Sequence, residues 1–433
     1  MDDILFSDYW LLPPAEEWWY LAAALVGLFF LIGLGEALRR FAGVSTEFTR
    51  KMIHISVGVA VSFAPLVFSV PLPAILLALF FILFNLAALR RGWFVSMHGS
   101  ERSSLGTVYF PLGFLILVLL LWFREPLIIS ISMLVLALGD AAAAVVGKSH
   151  RSPNVFHLSS GRKSFEGSRS MFVVSFITVW VGVMVLYQNP AIDYDFLFAV
   201  AGVAAITATA WEALSSRGLD NLTVPCSVAF VLAYYFLQND RTDIQQFTTG
   251  TGLALLVAAA SYQARFLALI GAVATFLLAS VIFGVGGWKW AVPILTFFVF
   301  SSLLSNVGKS RKAELADMFE KSGTRDYAQV FANGGVAGIL ALLSFGFPSV
   351  EFYPLFVGSI AAAAADTWGT EFGLLGRGKT VMITTLRPID RGRNGGVTWL
   401  GLLGGLGGGL VIGFSAFAWT NEIVLTGVFT LAG

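Results

Sequence analysis

Two aspartates interrupt apolar segments that are long enough to cross a membrane. Asp140 lies within residues 127–146, and Asp366 ends an alanine-rich run in the second half of the chain. A carboxylate inside a transmembrane helix costs roughly 2.5–3.5 kcal/mol on insertion scales, so it usually faces a polar cavity and marks a functional site. Each aspartate is followed by a segment rich in cations and glycines, residues 161–169 and 391–398. This combination predicts a metal–nucleotide site in each half.

The segment GRKSFEGSR, residues 161–169, contains the groups that phosphoryl transfer requires. Backbone N–H groups beside Gly167 can approach phosphates, and Lys163 can neutralise the charge of the transferred group. Glu166 can join Asp140 as a metal ligand. The alternative is a solvated basic loop that only sets membrane topology. The segment is not a Walker A loop, since it lacks the GxxxxGK[ST] pattern.

Other residues of the first half are candidate ligands for a nucleotide. Arg50, Lys51 and His54 share one helix face, at spacings of i,i+3 and i,i+4, and could together hold a polyphosphate. Asp220 and Asn221 precede an apolar run, so they could cap a helix or supply oxygen ligands. The remaining candidates in this half are Gly139, Arg162, Ser164, Gly167 and Ser168.

The second half repeats the pattern with Asp366 and Glu371 as catalytic and metal-binding candidates. These carboxylates are five residues apart and do not share an ideal helix face, but a kink near Gly369 could bring both to one Mg²⁺. Cations and exposed backbone that enter a helix N-terminus also predict a phosphate site. The candidate phosphate and nucleotide ligands are Arg325, Asp326, Asn333, Arg393, Asn394, Gly395 and Gly396. We expect the glycines of residues 401–409 to serve helix packing, because they lie inside an apolar span.

Composition predicts an all-α, polytopic integral membrane protein. Hydrophobic residues form 57% of the chain and charged residues 12%, with a mean hydropathy of +0.80. Apolar runs predict about 14 or 15 transmembrane helices. A net charge of +1 gives no indication of nucleic-acid binding. The single cysteine, Cys226, excludes a disulfide within the chain and a cysteine-ligated metal cluster.

The polar stretch 239–247 predicts a boundary between two fused membrane domains, residues 1–240 and 241–433. If the N-terminus lies outside, nearly all of the 27 basic residues fall in inner loops. The positive-inside rule therefore predicts that the motif-bearing loops face the cytoplasm, in the cytoplasmic membrane.

Five motifs of the first half, taken together and in order, resemble the membrane prenol kinase family, which includes phytol and dolichol kinases. The motifs read RKMIH, GTVYFP, GDAAAAVVG, KSFEGS and GLDNLTVP, and the resemblance covers about residues 30–235. It implies transfer of a γ-phosphoryl group, typically from CTP with Mg²⁺, to the hydroxyl of a lipid alcohol.

Four motifs of the second half resemble a membrane family, long described as of unknown function, that contains plant phytyl-phosphate kinase. They read SSLLSNVGKS, GTRDYAQVFANGG, AADTWGTEFG and GRNGGVT, and span about residues 300–402. This resemblance implies phosphorylation of a prenyl monophosphate to the diphosphate.

The function that we expect is a bifunctional isoprenoid-alcohol salvage kinase. It would phosphorylate a phytol-, geranylgeraniol- or farnesol-like alcohol first to the monophosphate and then to the diphosphate. Its partners would be the lipid alcohol, the prenyl phosphate, a nucleoside triphosphate and membrane lipid, with no nucleic acid. Two alternatives remain open: a CTP-dependent lipid cytidylyltransferase, and a secondary transporter with two intramembrane aspartates.

Overall fold

The computed structural model divides into two compact units, Met1–Asp240 (unit 1) and Arg241–Gly433 (unit 2). The residues that it describes are 6–93, 104–149, 153–158, 161–188, 193–238, 240–307, 325–376, 378–390 and 395–420.

Unit 1 is a helical bundle with one short β-hairpin. After a 3₁₀ turn (Phe6–Trp10), its elements in chain order are α1 (Ala15–Phe41), α2 (Thr46–Ser62), α3 (Ala64–Val67), α4 (Leu72–Arg91), α5 (Gly106–Leu121), α6 (Pro126–Ser149), β1 (Val155–Leu158), β2 (Gly161–Ser164), α7 (Phe165–Tyr187), α8 (Tyr194–Leu214) and α9 (Asp220–Leu237).

Helix α6, which carries Asp140, lies at the centre of unit 1. It packs against α2, α5, α7 and α9, and Ile128, Met133 and Leu136 are completely buried. Because neighbouring helices cover most of its surface, this helix is apolar on nearly every face. The buried position fixes the place of Asp140 relative to those helices.

The β-hairpin places Lys163 next to the start of α7. Strand β2 pairs antiparallel with β1, with Phe156 opposite Lys163, and continues directly into the helix. Ser164 caps α7, since its hydroxyl accepts a hydrogen bond from the Gly167 N–H at 3.1 Å. The segment expected to be a flexible glycine loop is therefore a strand followed by a helix N-terminus.

Unit 2 also consists mainly of helices. Its elements are α10 (Arg241–Gln263), α11 (Leu269–Asn306), α12 (Tyr327–Gly346), α13 (Tyr353–Leu375), β3 (Val381–Met382), β4 (Gly396–Val397) and α14 (Trp399–Thr420). Its core contains Trp290 against Phe356, with ring centroids 4.5 Å apart. Helix α11 covers two apolar runs, 266–285 and 289–306, which the sequence predicts as separate transmembrane helices. It deviates from helical geometry at Gly287, where φ is 61°.

The glycines of α14 let it pack closely against α13, which confirms their predicted role in helix packing. An added Cβ at Gly401 would lie 2.9 Å from the Gly369 carbonyl oxygen, and one at Gly408 would lie 2.9 Å from the Ala364 oxygen. Small residues at such an interface allow two backbones to approach each other.

We expect Gly408→Ala to lower the thermal stability of the protein, because its Cβ would press on the backbone of α13. Overpacking of this kind costs typically about 1–3 kcal/mol. Gly407→Ala on the same helix is the matched control, since a Cβ there meets no atom within 4 Å. Equal melting temperatures of the two variants in detergent would contradict the packing role of Gly408.

The helices confirm an all-α integral membrane protein. Among the described residues, ten helices are long and apolar enough to cross a membrane, and the shorter Gly106–Leu121 is also apolar. The number is below the predicted 14 or 15 partly because α11 joins two predicted spans. The predicted final segment, from residue 421, lies outside the described residues.

Candidate functional site

A cavity of about 560 Å³ lies in unit 1, and Asp140 faces it. The Asp140 carboxylate accepts a hydrogen bond from the Lys51 ammonium at 2.6 Å, and the His54 Nε2 atom lies 3.6 Å from the same oxygen. His54 is also 3.4 Å from the Leu136 carbonyl oxygen. Helices α2 and α6 thus meet through an ion pair at the wall of the cavity.

Lys163 forms the second charged contact of the cavity. Its ammonium donates a hydrogen bond to Glu212 of α8, and it lies 3.9 Å from an Asp220 oxygen at the start of α9. Burial lowers the pKa of Lys163, but Glu212 and Asp220 raise it more, so the net shift is upward. Lys163 therefore remains a cation at neutral pH.

The charged groups of this site fit a divalent cation brought in by a nucleotide. The carboxylates of Asp140, Glu212 and Asp220 face the ammonium groups of Lys51 and Lys163. Among the described residues, no group of three metal-ligating side chains is already assembled. Mg²⁺ commonly uses only one or two protein carboxylates together with substrate phosphates. The donor set therefore suits that ion without a preformed cage.

Four polar atoms on the cavity wall are buried without a hydrogen-bond partner in the part of the chain that the structure describes. They are Arg50 Nε, Asn85 Oδ1, Ser168 Oγ and Asn221 Oδ1. Buried polar groups are nearly always paired, so a group of orphaned atoms around one cavity indicates a polar ligand. Arg50 Nε and the Ser168 hydroxyl can donate hydrogen bonds, and the Ser168 hydroxyl and the two amide oxygens can accept them.

The rest of the cavity wall is apolar. The residues that provide this surface are Leu28, Ile32, Ile53, Val57, Val61, Leu77, Ala78, Phe81, Phe110 and Phe114. One cavity therefore presents a charged end and a hydrocarbon end, as expected for an amphiphilic ligand.

The structure brings most of the predicted ligands of the first half to this cavity. Those that line it are Arg50, Lys51, His54, Asp140, Arg162, Lys163, Ser164, Gly167, Ser168, Asp220 and Asn221. The N-terminus of α7 contributes Ser164, Gly167 and Ser168, and a helix N-terminus favours anions.

Glu166 has a different place from the predicted one beside Asp140. Its carboxylate accepts hydrogen bonds from the Asn154 backbone N–H at 3.1 Å and from the Asn154 side-chain amide at 3.3 Å. It does not line the cavity. The reason is that the segment is helical from Phe165, which directs Glu166 away from Lys163. Glu166 holds the hairpin, and the predicted pairing with Asp140 is not observed.

Gly139 also differs from its predicted role in phosphate binding. A Cβ there would lie 2.7 Å from the Met171 sulfur, so Gly139 allows α6 and α7 to pack closely. Gly167 has a similar constraint, because its Cβ would lie 2.8 Å from the Ala143 carbonyl oxygen. Gly167 lines the cavity as well, whereas Gly139 does not.

Asn85 and Glu212 are site residues that were not predicted from the sequence. Asn85 donates to the Thr107 carbonyl oxygen at 2.7 Å, and its own amide oxygen remains unpaired at the cavity. The signal was available, since Asn85 interrupts an apolar helix as Asp140 does. Glu212 lies near the end of α8, where a carboxylate resembles an ordinary helix-terminal residue until its contact with Lys163 is known.

In unit 2, the carboxylate of Glu371 has a local hydrogen-bond partner. Its side chain accepts a hydrogen bond from the Ser305 hydroxyl at 2.6 Å, and Trp368 donates to Ser301 at 2.9 Å one turn away. Burial lowers the pKa of Arg325, while the charge of Glu371 raises it in part. Ser305, Arg325 and Glu371 thus form a polar cluster between α11, α13 and the start of α12.

The predicted convergence of Asp366 with Glu371 is not observed. Helix α13 is continuous from Tyr353 to Leu375, because Gly369 serves the close packing against α14 rather than a kink. Residues five apart on a regular helix point about 140° away from each other. Asp366 is accordingly exposed and Glu371 half-buried.

The other candidate ligands of unit 2 have separate positions. Asp326 caps α12, where its carboxylate accepts a hydrogen bond from the Gln329 N–H at 3.0 Å, so it has a structural role. Asn333 is half-buried on the same helix. Gly395, with φ of 80°, precedes Gly396 in β4. The predicted ligands Arg393 and Asn394 lie outside the described residues.

Comparisons with known proteins give one family match and several relatives. A family described as "Integral membrane protein DUF92" matches residues 252–433. Protein PGR of Arabidopsis thaliana is 32% identical over 177 residues, which cover 38% of this chain and 61% of that protein. The chain thus spans about three fifths of the length of this relative.

Two further relatives are named phytol kinases. The phytol kinase of Synechocystis is 30% identical over 227 residues, which cover 51% of this chain and 93% of the relative. Phytol kinase 1, chloroplastic, of Arabidopsis thaliana is 26% identical over 232 residues, which cover 49% of this chain and 74% of the relative. No solved structure matches the chain.

Proposed function

This chain belongs to the phytol kinase family, and we propose that unit 1 transfers a phosphoryl group from a nucleoside triphosphate to the hydroxyl of an isoprenoid alcohol. The observation that carries the proposal is the amphiphilic cavity. Its charged end contains Lys51, Asp140 and Lys163, and its other end is lined by aliphatic and aromatic side chains. A lipid alcohol and a triphosphate need these two environments side by side.

The residues of the charged end have distinct roles in this reaction. Lys163 and Lys51 neutralise negative charge on the transferred group, which is the main catalytic requirement of phosphoryl transfer. Asp140 orients the substrate hydroxyl and accepts its proton as the hydroxyl oxygen attacks the γ-phosphorus. The bond to the bridging oxygen then breaks, and the nucleoside diphosphate leaves.

Asp140 and Asp220 are the residues that would hold Mg²⁺, which would offset negative charge on the nucleotide phosphates. Glu212 positions Lys163 through the hydrogen bond between them. Ser168 and Arg50 have unpaired donors at the cavity, and Arg162 adds a further cation. We assign these three residues to the triphosphate, with CTP as the preferred nucleotide.

Product analysis tests this function against the cytidylyltransferase alternative. Purified protein is incubated with CTP labelled in the γ-phosphate and with geranylgeraniol. We expect label in the lipid fraction and unlabelled CDP, whereas a cytidylyltransferase would release labelled pyrophosphate. A transporter would turn over no nucleotide, and either of these results would overturn the kinase assignment.

We expect Lys163→Met to lower alcohol phosphorylation by about 100-fold or more, in the range seen when one stabilising group is removed from a transition state. Arg169→Met is the matched control, because Arg169 is an exposed cation on α7 that does not line the cavity. The measurement is kcat/KM for the alcohol. Comparable losses in both variants would exclude a specific role of Lys163.

For unit 2, we propose the second transfer, from a nucleoside triphosphate to a prenyl monophosphate. Support comes from the motif resemblance of residues 300–402 and from the cluster of Ser305, Arg325 and Glu371. Arg325 can bind a phosphate with two parallel hydrogen bonds, and Glu371 can hold Mg²⁺ together with phosphate oxygens. This second activity makes the protein bifunctional.

We also propose that the N-terminus lies outside and that the site loops face the cytoplasm, on the basis of the distribution of basic residues. In a Cys226→Ala background, cysteines placed singly in loops 148–170, 307–332 and 376–395 should resist an impermeant thiol reagent added to intact cells. They should react once the membrane is opened. Ready labelling from outside at any of the three loops would reverse this topology.

A further inference from the structure

An apolar groove in unit 1 adjoins the cavity. The groove has a volume of about 370 Å³ and lies between α1 and the segment formed by α2 and α3. We call it the tail groove and define it by Tyr20, Ala24, Gly27, Ala60, Phe63 and Val67, which line it.

The tail groove and the cavity share part of their walls. Leu28, Val61 and Leu77 line both of them, and these side chains are only 4–7% exposed. They come from α1, α2 and α4, so the boundary between the two spaces is made by three helices. The cavity and the tail groove therefore meet at an apolar boundary, which we call the neck.

The position of the neck along α2 separates the charged end from the tail groove. Lys51, which contacts Asp140, precedes Val61 by ten residues, or about 15 Å at the helical rise of 1.5 Å per residue. Phe63 and Val67 extend the apolar surface further in the same direction. A ligand with its hydroxyl at Asp140 and an extended hydrocarbon chain would reach the tail groove.

We propose that the tail groove binds the distal isoprene units of the lipid alcohol and so determines the chain length that unit 1 prefers. This inference rests on the proposed kinase function and adds a specificity determinant to it. The occupant is a hydrocarbon tail rather than a polar group, because every side chain of the groove is apolar except the Tyr20 hydroxyl. A tail of two isoprene units would end before the neck, and one of four would pass through it.

Two glycines of α1 give a matched pair of variants. A Cβ at Gly27 meets no atom within 4 Å, so Gly27→Phe can fill the tail groove without a clash at the backbone. Gly33 lies on the same helix, and a Cβ there also meets no atom within 4 Å. Gly33 lines neither the cavity nor the tail groove. Gly33→Phe therefore controls for a large aromatic residue on α1. Ala60→Phe fills the tail groove from α2. It tests the chain-length preference independently if Gly27→Phe does not fold.

The experiment compares kcat/KM for geranylgeraniol, with four isoprene units, and geraniol, with two. We expect Gly27→Phe and Ala60→Phe to lower the ratio of the two values by about tenfold or more, the scale of discrimination between hydrocarbon chains in apolar pockets. Gly33→Phe should leave the ratio unchanged. An unchanged ratio in folded Gly27→Phe and Ala60→Phe, or equal losses for both alcohols, would overturn the proposal and show that bilayer lipid fills the groove.

A crosslinking measurement keeps this inference separate from the proposed function. A geranylgeraniol analogue with a diazirine at the tail end is irradiated with the wild-type protein, and adducts are mapped by mass spectrometry. We expect adducts within residues 20–31 or 60–68, and adducts only elsewhere would overturn the groove. A wild-type protein that phosphorylates no alcohol would instead refute the kinase function, whatever the adducts show.

Discussion

Asp140→Asn should lower alcohol phosphorylation by about 100- to 1000-fold, the largest effect that we expect from a single substitution in unit 1. In the proposed mechanism the carboxylate accepts the hydroxyl proton and helps to hold the cation. An amide is not basic enough to accept the proton, and it is a neutral and therefore weaker ligand for the cation. We also expect Asp140→Asn to lower the stability of the protein. Asp140 accepts the Lys51 hydrogen bond at 2.6 Å, and removal of one member of a buried pair leaves the other charge uncompensated.

We therefore expect Asp140→Asn to melt at a lower temperature than the wild-type protein. Lys51→Met combined with Asp140→Asn removes both charges, and we expect it to recover stability but not activity. Kinetics with geranylgeraniol, together with melting curves in detergent, separate the two effects. Activity of folded Asp140→Asn within a fewfold of wild type would reduce Asp140 to a packing residue.

The sequence predicted which residues form the charged end of the site better than it predicted where their carboxylates lie. Asp140 and Lys163 were identifiable because charge inside or beside an apolar helix has few structural uses. Glu166 was assigned to the wrong neighbour, since the local sequence does not reveal that the helix begins at Phe165 and directs this side chain towards Asn154. Glu212 is 49 residues from Lys163 in the chain, and only the packing of α8 brings them together.

Tertiary contacts also explain why the predicted convergence of Asp366 and Glu371 in unit 2 is not observed. The motif around Asp366 and Glu371 indicated two carboxylates, but whether Gly369 kinks α13 or packs against α14 depends on a tertiary contact. Long apolar runs predicted the helices, because a segment that crosses a membrane must be long and hydrophobic. Side-chain directions within those helices depend on neighbours that the local sequence does not specify.

The two proposed steps should be separable by substitutions in the two units. We expect Glu371→Gln to leave the first phosphorylation intact, so that prenyl monophosphate accumulates with little diphosphate. Its carboxylate accepts a hydrogen bond from Ser305 at 2.6 Å, and the amide would lose the charge on which a metal–phosphate site depends. Asp366→Asn should do the same only if this exposed carboxylate also contacts the ligand. Products from labelled alcohol, resolved chromatographically, give the readout.

The reverse experiment supplies monophosphate directly. Asp140→Asn should then form diphosphate at the wild-type rate, although it forms almost no product from free alcohol. Ser344→Ala serves as the control in unit 2, because its hydroxyl donates to the Ala341 carbonyl oxygen within the same helix, α12. If Glu371→Gln or Asp140→Asn eliminates both steps equally in protein shown to be folded, the units do not act as separate kinases. Unit 2 would then have a structural or regulatory function, because independent sites cannot both depend on one carboxylate.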